Sequence, residues 1–236
     1  MKKLNFKYNK CAFTLAEVLI TLVIIGVIAA ITVPTLITKY QKEQTVTRLK
    51  KVYSTISQAT QRAISDFGPV KTWEIYKTST SNDAKNFFNK YMAPYLSLSV
   101  KAETLSNVKY TYRNGEELIG SNFARAYLAD GSSLTFQIER NTDTTKTFKY
   151  FIDVNGDKKP NIIGKDVFEF KHYLINSKAT YSNKFLPSGF AFSREEILES
   201  TPCCQCNKIS GIDYSGVYCG ALIMKDGWQI KDDYPW

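Results

Sequence analysis

A single acid, Glu17, interrupts an apolar stretch that runs from Phe13 to Ile37. A carboxylate at lipid depth costs about 2.5 to 3.5 kcal/mol, so its presence there demands a reason. Phe13 stands four residues upstream, one helical turn or about 6 Å of rise. If the chain is cut just before Phe13, the new α-ammonium lies on the same helix face as Glu17, and the amine of one copy can meet the acid of the next. A second group of oxygens lies further along, where Asp153, Asn155 and Asp157 alternate around Gly156 and Asp166 follows. Oxygens at such spacing can converge on a hard cation such as calcium. The position that holds the bidentate Glu of an EF-hand is Gly164 here, and the competing reading is an Asx-rich turn whose side chains cap their own backbone. Cys203, Cys204, Cys206 and Cys219 crowd the last stretch of the chain. Outside the cytoplasm they favour disulfides over metal. Adjacent cysteines rarely bridge, which leaves Cys204–Cys219 with Cys203–Cys206, or Cys203–Cys219 with Cys204–Cys206. A zinc site built from the four thiolates is the alternative, although the spacing is not that of paired CxxC knuckles.

Catalysis finds little support. The one histidine, His172, has no serine or cysteine beside it that suggests a triad, and it reads as a surface or strand residue. No glycine-rich phosphate loop, HExxH or nucleophile elbow is present. An enzyme is not expected.

The elements that must position these groups follow from charge and periodicity. From Val18 to Thr38 no acid, base, amide or histidine occurs, and a span of about 20 mostly apolar residues is enough to cross a bilayer as a helix. Lys2, Lys3, Lys7 and Lys10 precede it, which by the positive-inside rule keeps the leader in the cytoplasm and sends the rest out. These lysines, with the basic excess between Lys39 and Arg62, account for most of the formal charge of +9. The remaining head is close to neutral, a poor match for nucleic acid. Beyond Lys39, Val46, Leu49, Val52, Ile56, Ala59, Ala63, Ile64 and Phe67 recur at three- and four-residue steps and continue the helix along one apolar face until Gly68-Pro69 stops it. A second helix is expected over Asp83–Tyr95 behind a Ser81-Asn82 cap. Strands are expected at Val108–Arg113, at Arg125–Ala129 and Ser133–Glu139 joined through Asp130-Gly131, and at Thr147–Val154. Short strand candidates at Ala221–Met224 and Trp228–Ile230 end the chain.

The stretch Ala12-Phe13-Thr14-Leu15-Ala16-Glu17, followed by Val18-Leu19-Ile20, resembles the signal of type IV prepilins: a small residue, then Phe-Thr-Leu-x-Glu, then an apolar run. The family usually has glycine before the cut, and Ala12 stands there instead, small enough to be tolerated. The resemblance implies a prepilin peptidase that cleaves between Ala12 and Phe13 and methylates the Phe13 amine, with Glu17 as the assembly acid. Pro34 stands where similar pilins carry a helix-breaking proline, and by that likeness the Gly26–Pro34 segment kinks or melts on assembly. The Asp153 loop also looks like the Asp-x-Asn-Gly loop in the heads of some pilin-like proteins; calcium-stabilised loops occur among secretion pseudopilins, and pilins often close a C-terminal loop by a disulfide.

The implied fold is α+β, a long N-terminal helix packed on an antiparallel sheet in a pilin-like head. The organisation is a leader over 1–12, a membrane and assembly helix over 13–37, its soluble half over 38–67 and an extracytoplasmic head over 68–236. The implied function is a structural subunit of a type IV pilus or type II secretion pseudopilus, the alternative a minor pilin whose head binds a ligand or DNA. Implied partners are other copies or related pilin subunits, the prepilin peptidase, an inner-membrane assembly platform and, before assembly, membrane lipid. The implied location is a single pass through the inner membrane, then an extracellular or periplasmic filament. Replacing Ala12 with a bulky residue is expected to block the cut, and mass spectrometry of the purified protein will then show the leader retained.

Overall fold

The computed structural model describes residues 14–74, 80–142, 145–174, 181, 183–208 and 211–236. The chain divides into two units, residues 1–42 and residues 43–236. In the first, the described residues form the opening part of helix α1 (Leu15–Phe67), which runs without a break through Gly26 and Pro34. Pro34 has no N–H to offer the carbonyl of Ala30. Threonines bond back along the ladder on either side, Thr32 Oγ1 to the Ile28 carbonyl at 2.9 Å and Thr35 Oγ1 to that of Ile31 at 3.3 Å.

In the second unit α1 buries Val46, Leu49, Val52, Ile56, Ala59, Thr60 and Ala63, the expected stripe with Thr60 added and without Ile64, half-buried, and Phe67, exposed. It ends at Gly68, whose φ of +81° suits a residue without a Cβ and whose N–H caps the Ile64 carbonyl. Helix α2 (Ser81–Tyr91) starts two residues before the expected Asp83 and ends four before Tyr95. Thr80 is the N-cap, its hydroxyl accepting from the Asp83 N–H while Asp83 accepts from the Thr80 N–H. That reciprocal pair satisfies two orphan helix donors, which Ser81 or Asn82 does not do here.

The sheet has six strands in sequence order, every neighbour antiparallel: β1 (Leu98–Leu105), β2 (Phe123–Leu128), β3 (Ser133–Thr142), β4 (Thr145–Asp153), β5 (Val167–Tyr173) and β6 (Phe185–Pro187). This is the expected α+β arrangement, a long helix and an antiparallel sheet. The β2–β3 hairpin turns at Asp130-Gly131, where Asp130 accepts from the Ser132 N–H and Gly131 takes a φ of +86°. Val108–Arg113 is not a strand; Thr111 makes only isolated bridges, to Glu117 and Ile162. Ala221–Met224 is also not a strand but lies in helix α3 (Cys219–Lys225), and Trp228–Ile230 is irregular. A short apolar run suits a buried strand or a buried helix equally well, and here residues 219–223 are all buried against their surroundings.

Alternation along the strands sorts the side chains. Leu134, Phe136 and Ile138 of β3, Phe148, Tyr150 and Ile152 of β4, and Phe168 and Phe170 of β5 join α1, α2 and α3 in one core. The opposite face carries a smaller cluster around Tyr110, Tyr112, Phe123, Phe151 and Val217. His172 has the parity of Phe170, so it points inward and is fully buried, correcting the surface reading. The Thr60 hydroxyl donates to the Ile56 carbonyl at 2.7 Å and therefore accepts from His172 Nε2–H at 2.9 Å. Nδ1 is left without a partner.

Burial pushes the His172 imidazole down to about 3. The neutral ring is the folded form, while the unfolded chain takes up a proton near pH 6.5. Stability is therefore complete above that pH and is lost as pH falls from 6.5 toward 3, by about 1 kcal/mol per pH unit in mid-window. Denaturant melts of the wild type between pH 6.5 and 4.5 are expected to show this slope, and His172→Leu to flatten it.

Candidate functional site

Helix α1 opens with a local device that its sequence spells out. Thr14 donates through its N–H to Glu17 Oε2 at 2.8 Å and through its hydroxyl at 2.7 Å, and the Glu17 N–H points back to Thr14 Oγ1 at 3.3 Å. Thr-x-x-Glu before an apolar run is a capping box. The acid that looked unpartnered thus rests on its own helix start, and Thr14 is a functional neighbour the sequence reading missed although the four-residue signature was present. Ala12 and Phe13 lie outside the described residues, so the amine expected opposite Glu17 has no position here. From Leu15 to Ile37 no large apolar side chain is buried, their exposure running from 42% at Val18 to 78% at Leu15. That helix is long and apolar enough to cross a bilayer.

The oxygens of the Asp153 loop do not converge as expected. Asp157 faces away, its carboxylate taken by Arg125 NH1 at 2.9 Å and the Tyr127 hydroxyl at 2.7 Å. Asp166 is filled by three N–H donors, the Asn161 and Ile162 backbone at 2.9 and 2.7 Å and Asn155 Nδ2 at 3.1 Å. Asp153 accepts from the Asn155 N–H at 3.2 Å, which makes an Asx turn. Burial first, and Asp166 second, push the Asp153 carboxyl up to about 8, so it is protonated at neutral pH. Asn155 Oδ1 and Asn161 Oδ1 are enclosed without partners. Among the described residues no group of three or more acid, histidine or cysteine side chains is placed to hold a metal.

The cysteines pair differently from either expected scheme. Cys206 bridges Cys219 with their Cα atoms 4.7 Å apart, and Cys203 pairs with its neighbour Cys204. The sheet decides this: Cys206 and Cys219 lie in the main core, whereas Cys204 and Cys203 belong to the cluster on the opposite face. No set of four thiolates remains for zinc. The Cys206–Cys219 bridge contributes about 3 kcal/mol by the chain-entropy argument. Close packing accompanies it, since a Cβ added at Gly164 (φ +84°) would stand 2.7 Å from Cys219 Sγ.

Four charged residues lie on the sheet face away from α1. Lys149 and Lys171 are directly paired across β4 and β5, a repulsive arrangement by itself. Glu139 and Glu169 resolve it. Glu139 reaches Lys149 Nζ at 2.7 Å and Lys171 Nζ at 3.3 Å, and Glu169 reaches the same two at 3.6 and 3.2 Å. Burial alone would raise the Glu139 carboxyl, but the two ammoniums prevail and hold it at about 2. These side chains floor a cleft of about 670 Å³ whose walls include Tyr112, Tyr214, Tyr218 and the Cys203–Cys204 pair.

Two family models match the chain. One, described as a family of unknown function (DUF6613), covers residues 35–236 and so takes in the entire head. The chain belongs to that family. The other is the prokaryotic N-terminal methylation motif, matched over residues 7–33. No curated protein and no solved structure matches. This DUF6613 member thus joins its family's head to an N-terminal motif typical of type IV pilins and pseudopilins, and its apolar helix and disulfide accord with that class. Glu17 lies inside the matched motif, the four acidic-loop residues and all four head cysteines inside the matched head.

Since Asp157 and Asp166 already have protein partners, removing divalent cations with a chelator is expected to leave the melting temperature unchanged. A fall of several degrees, reversed by added calcium, would restore the cation reading.

Proposed function

We propose that the protein is a filament subunit of the type IV pilus or type II secretion pseudopilus kind. A prepilin peptidase removes residues 1–12, the apolar helix holds the subunit in the inner membrane with the head outside, and subunits then polymerise through that helix. The observation that carries this reading is the apolar surface of residues 15–37, none of it covered by the chain itself, directly behind a methylation motif. Lipid covers such a surface before assembly and neighbouring helices cover it afterwards. No catalytic step enters the reading.

Glu17 supplies the register. In the described chain its carboxylate rests on Thr14, an internal contact made entirely by a helix start. Exchange of that contact for the Phe13 ammonium of a neighbour replaces neutral donors by a charged one and so makes an ion pair in a medium of low dielectric. An acid displaced from that position along the helix loses its partner and keeps the desolvation cost.

Glu17→Ala is therefore expected to be cleaved normally yet to yield no filaments. Surface shearing followed by electron microscopy, with mass spectrometry of the membrane-retained subunit, reads both halves of that outcome. Wild-type numbers of filaments from the variant would overturn the role given to Glu17.

A further inference from the structure

We propose that the cleft over Glu139, Lys149, Glu169 and Lys171 binds a neutral saccharide. The reading goes beyond filament assembly and does not rest on it.

The floor itself selects the class of ligand. Each ammonium is already in contact with two carboxylates and each carboxylate with two ammoniums, at 2.7 to 3.6 Å. An anion or cation entering the cleft finds its counter-charges committed and like charges beside them. A hydroxyl group meets no such conflict, because it donates and accepts at once. Glu139 also accepts from the Thr147 hydroxyl and Glu169 from that of Ser188, which leaves about one acceptor site on each carboxylate and one N–H on each ammonium, and Gln137 adds an amide to the same lining. Buried charge is also an expensive way to build a sheet face that apolar side chains would serve at least as well.

The walls supply the other half of a sugar site. Tyr214 and Tyr218 stand beside the polar floor, with Phe151 and Tyr112 buried beneath and behind them, giving apolar ring faces for C–H groups next to hydroxyl partners. Tyr214 stands at the rim, 54% exposed, with its ring 5.5 Å from that of Tyr112 in an edge-on arrangement. Its backbone is left-handed, with φ of 54°, an uncommon conformation for a bulky residue. Ile119, also lining the cleft, is 89% exposed. The cleft volume of about 670 Å³ lies within the roughly 300 to 1,000 Å³ usual for small-ligand sites, room for a short oligosaccharide.

The test uses the full-length chain, unassembled, in a zwitterionic detergent without sugar headgroups. It is applied to an array of immobilised neutral and sialylated oligosaccharides, with free amino acids and dipeptides tested by saturation-transfer NMR. Binding to at least one neutral oligosaccharide is expected, weakened about ten-fold in Tyr214→Asn, a change that keeps a residue tolerant of the left-handed backbone. Glu139→Gln is expected to weaken it as well, and circular dichroism separates that loss from unfolding. Failure of folded protein to bind any neutral glycan would overturn the proposal. So would preference for sialylated glycans or zwitterionic peptides, or binding that Tyr214→Asn leaves unchanged. Because no filament is needed, loss of assembly in Glu17→Ala does not bear on this outcome.

Discussion

An apolar side chain left in water costs about 1.5 kcal/mol or more relative to a buried one, and from Leu15 to Ile37 this chain repeats that cost residue after residue without covering any of it. In the proposed function lipid and then other helices cover that surface. On the same reading, the basic residues before the span set its orientation and Glu17 marks its entrance.

Within residues 43–236 the organising constraint is the two-residue period of the strands. Neighbours in sequence meet opposite worlds. On β5, Phe170 and His172 enter an aromatic core, while Glu169 and Lys171 join a polar array on the other face. The inner face tolerates one imidazole by keeping it neutral and bonded to Thr60. The outer face tolerates four charges because each is neutralised twice, and because the loop and C-terminal segments above them leave a cleft instead of a seal. The same division sets the cysteine pairing, with one bridge in the main core and one adjacent pair outside it.

In the Asp153 loop two of the four expected oxygen ligands have partners that the spacing alone does not show. Alternating oxygens around Gly156 invite a cation only if nothing nearer claims them. Arg125 and Tyr127, contributed by β2, claim Asp157, and backbone N–H groups claim Asp166. These partners are distant in sequence or belong to the backbone, so no local pattern announces them.

What the sequence determined by itself was everything written in short range: the methylation motif, the apolar span, the heptad-like stripe from Val46 to Ala63, the Asp130-Gly131 turn and the α+β class. Periodicity and turn chemistry are local, and they survive folding because tertiary contacts reinforce them. The Thr14–Glu17 capping box belonged to this legible set and was passed over in favour of the acid alone. Only the tertiary structure decided which face His172 occupies, that Ala221–Met224 is helical, which cysteines meet, and that Glu139, Lys149, Glu169 and Lys171 form one site. Those outcomes depend on strand register and on which segments cover each face of the sheet, quantities set by the sum of many weak contacts between residues far apart in the chain.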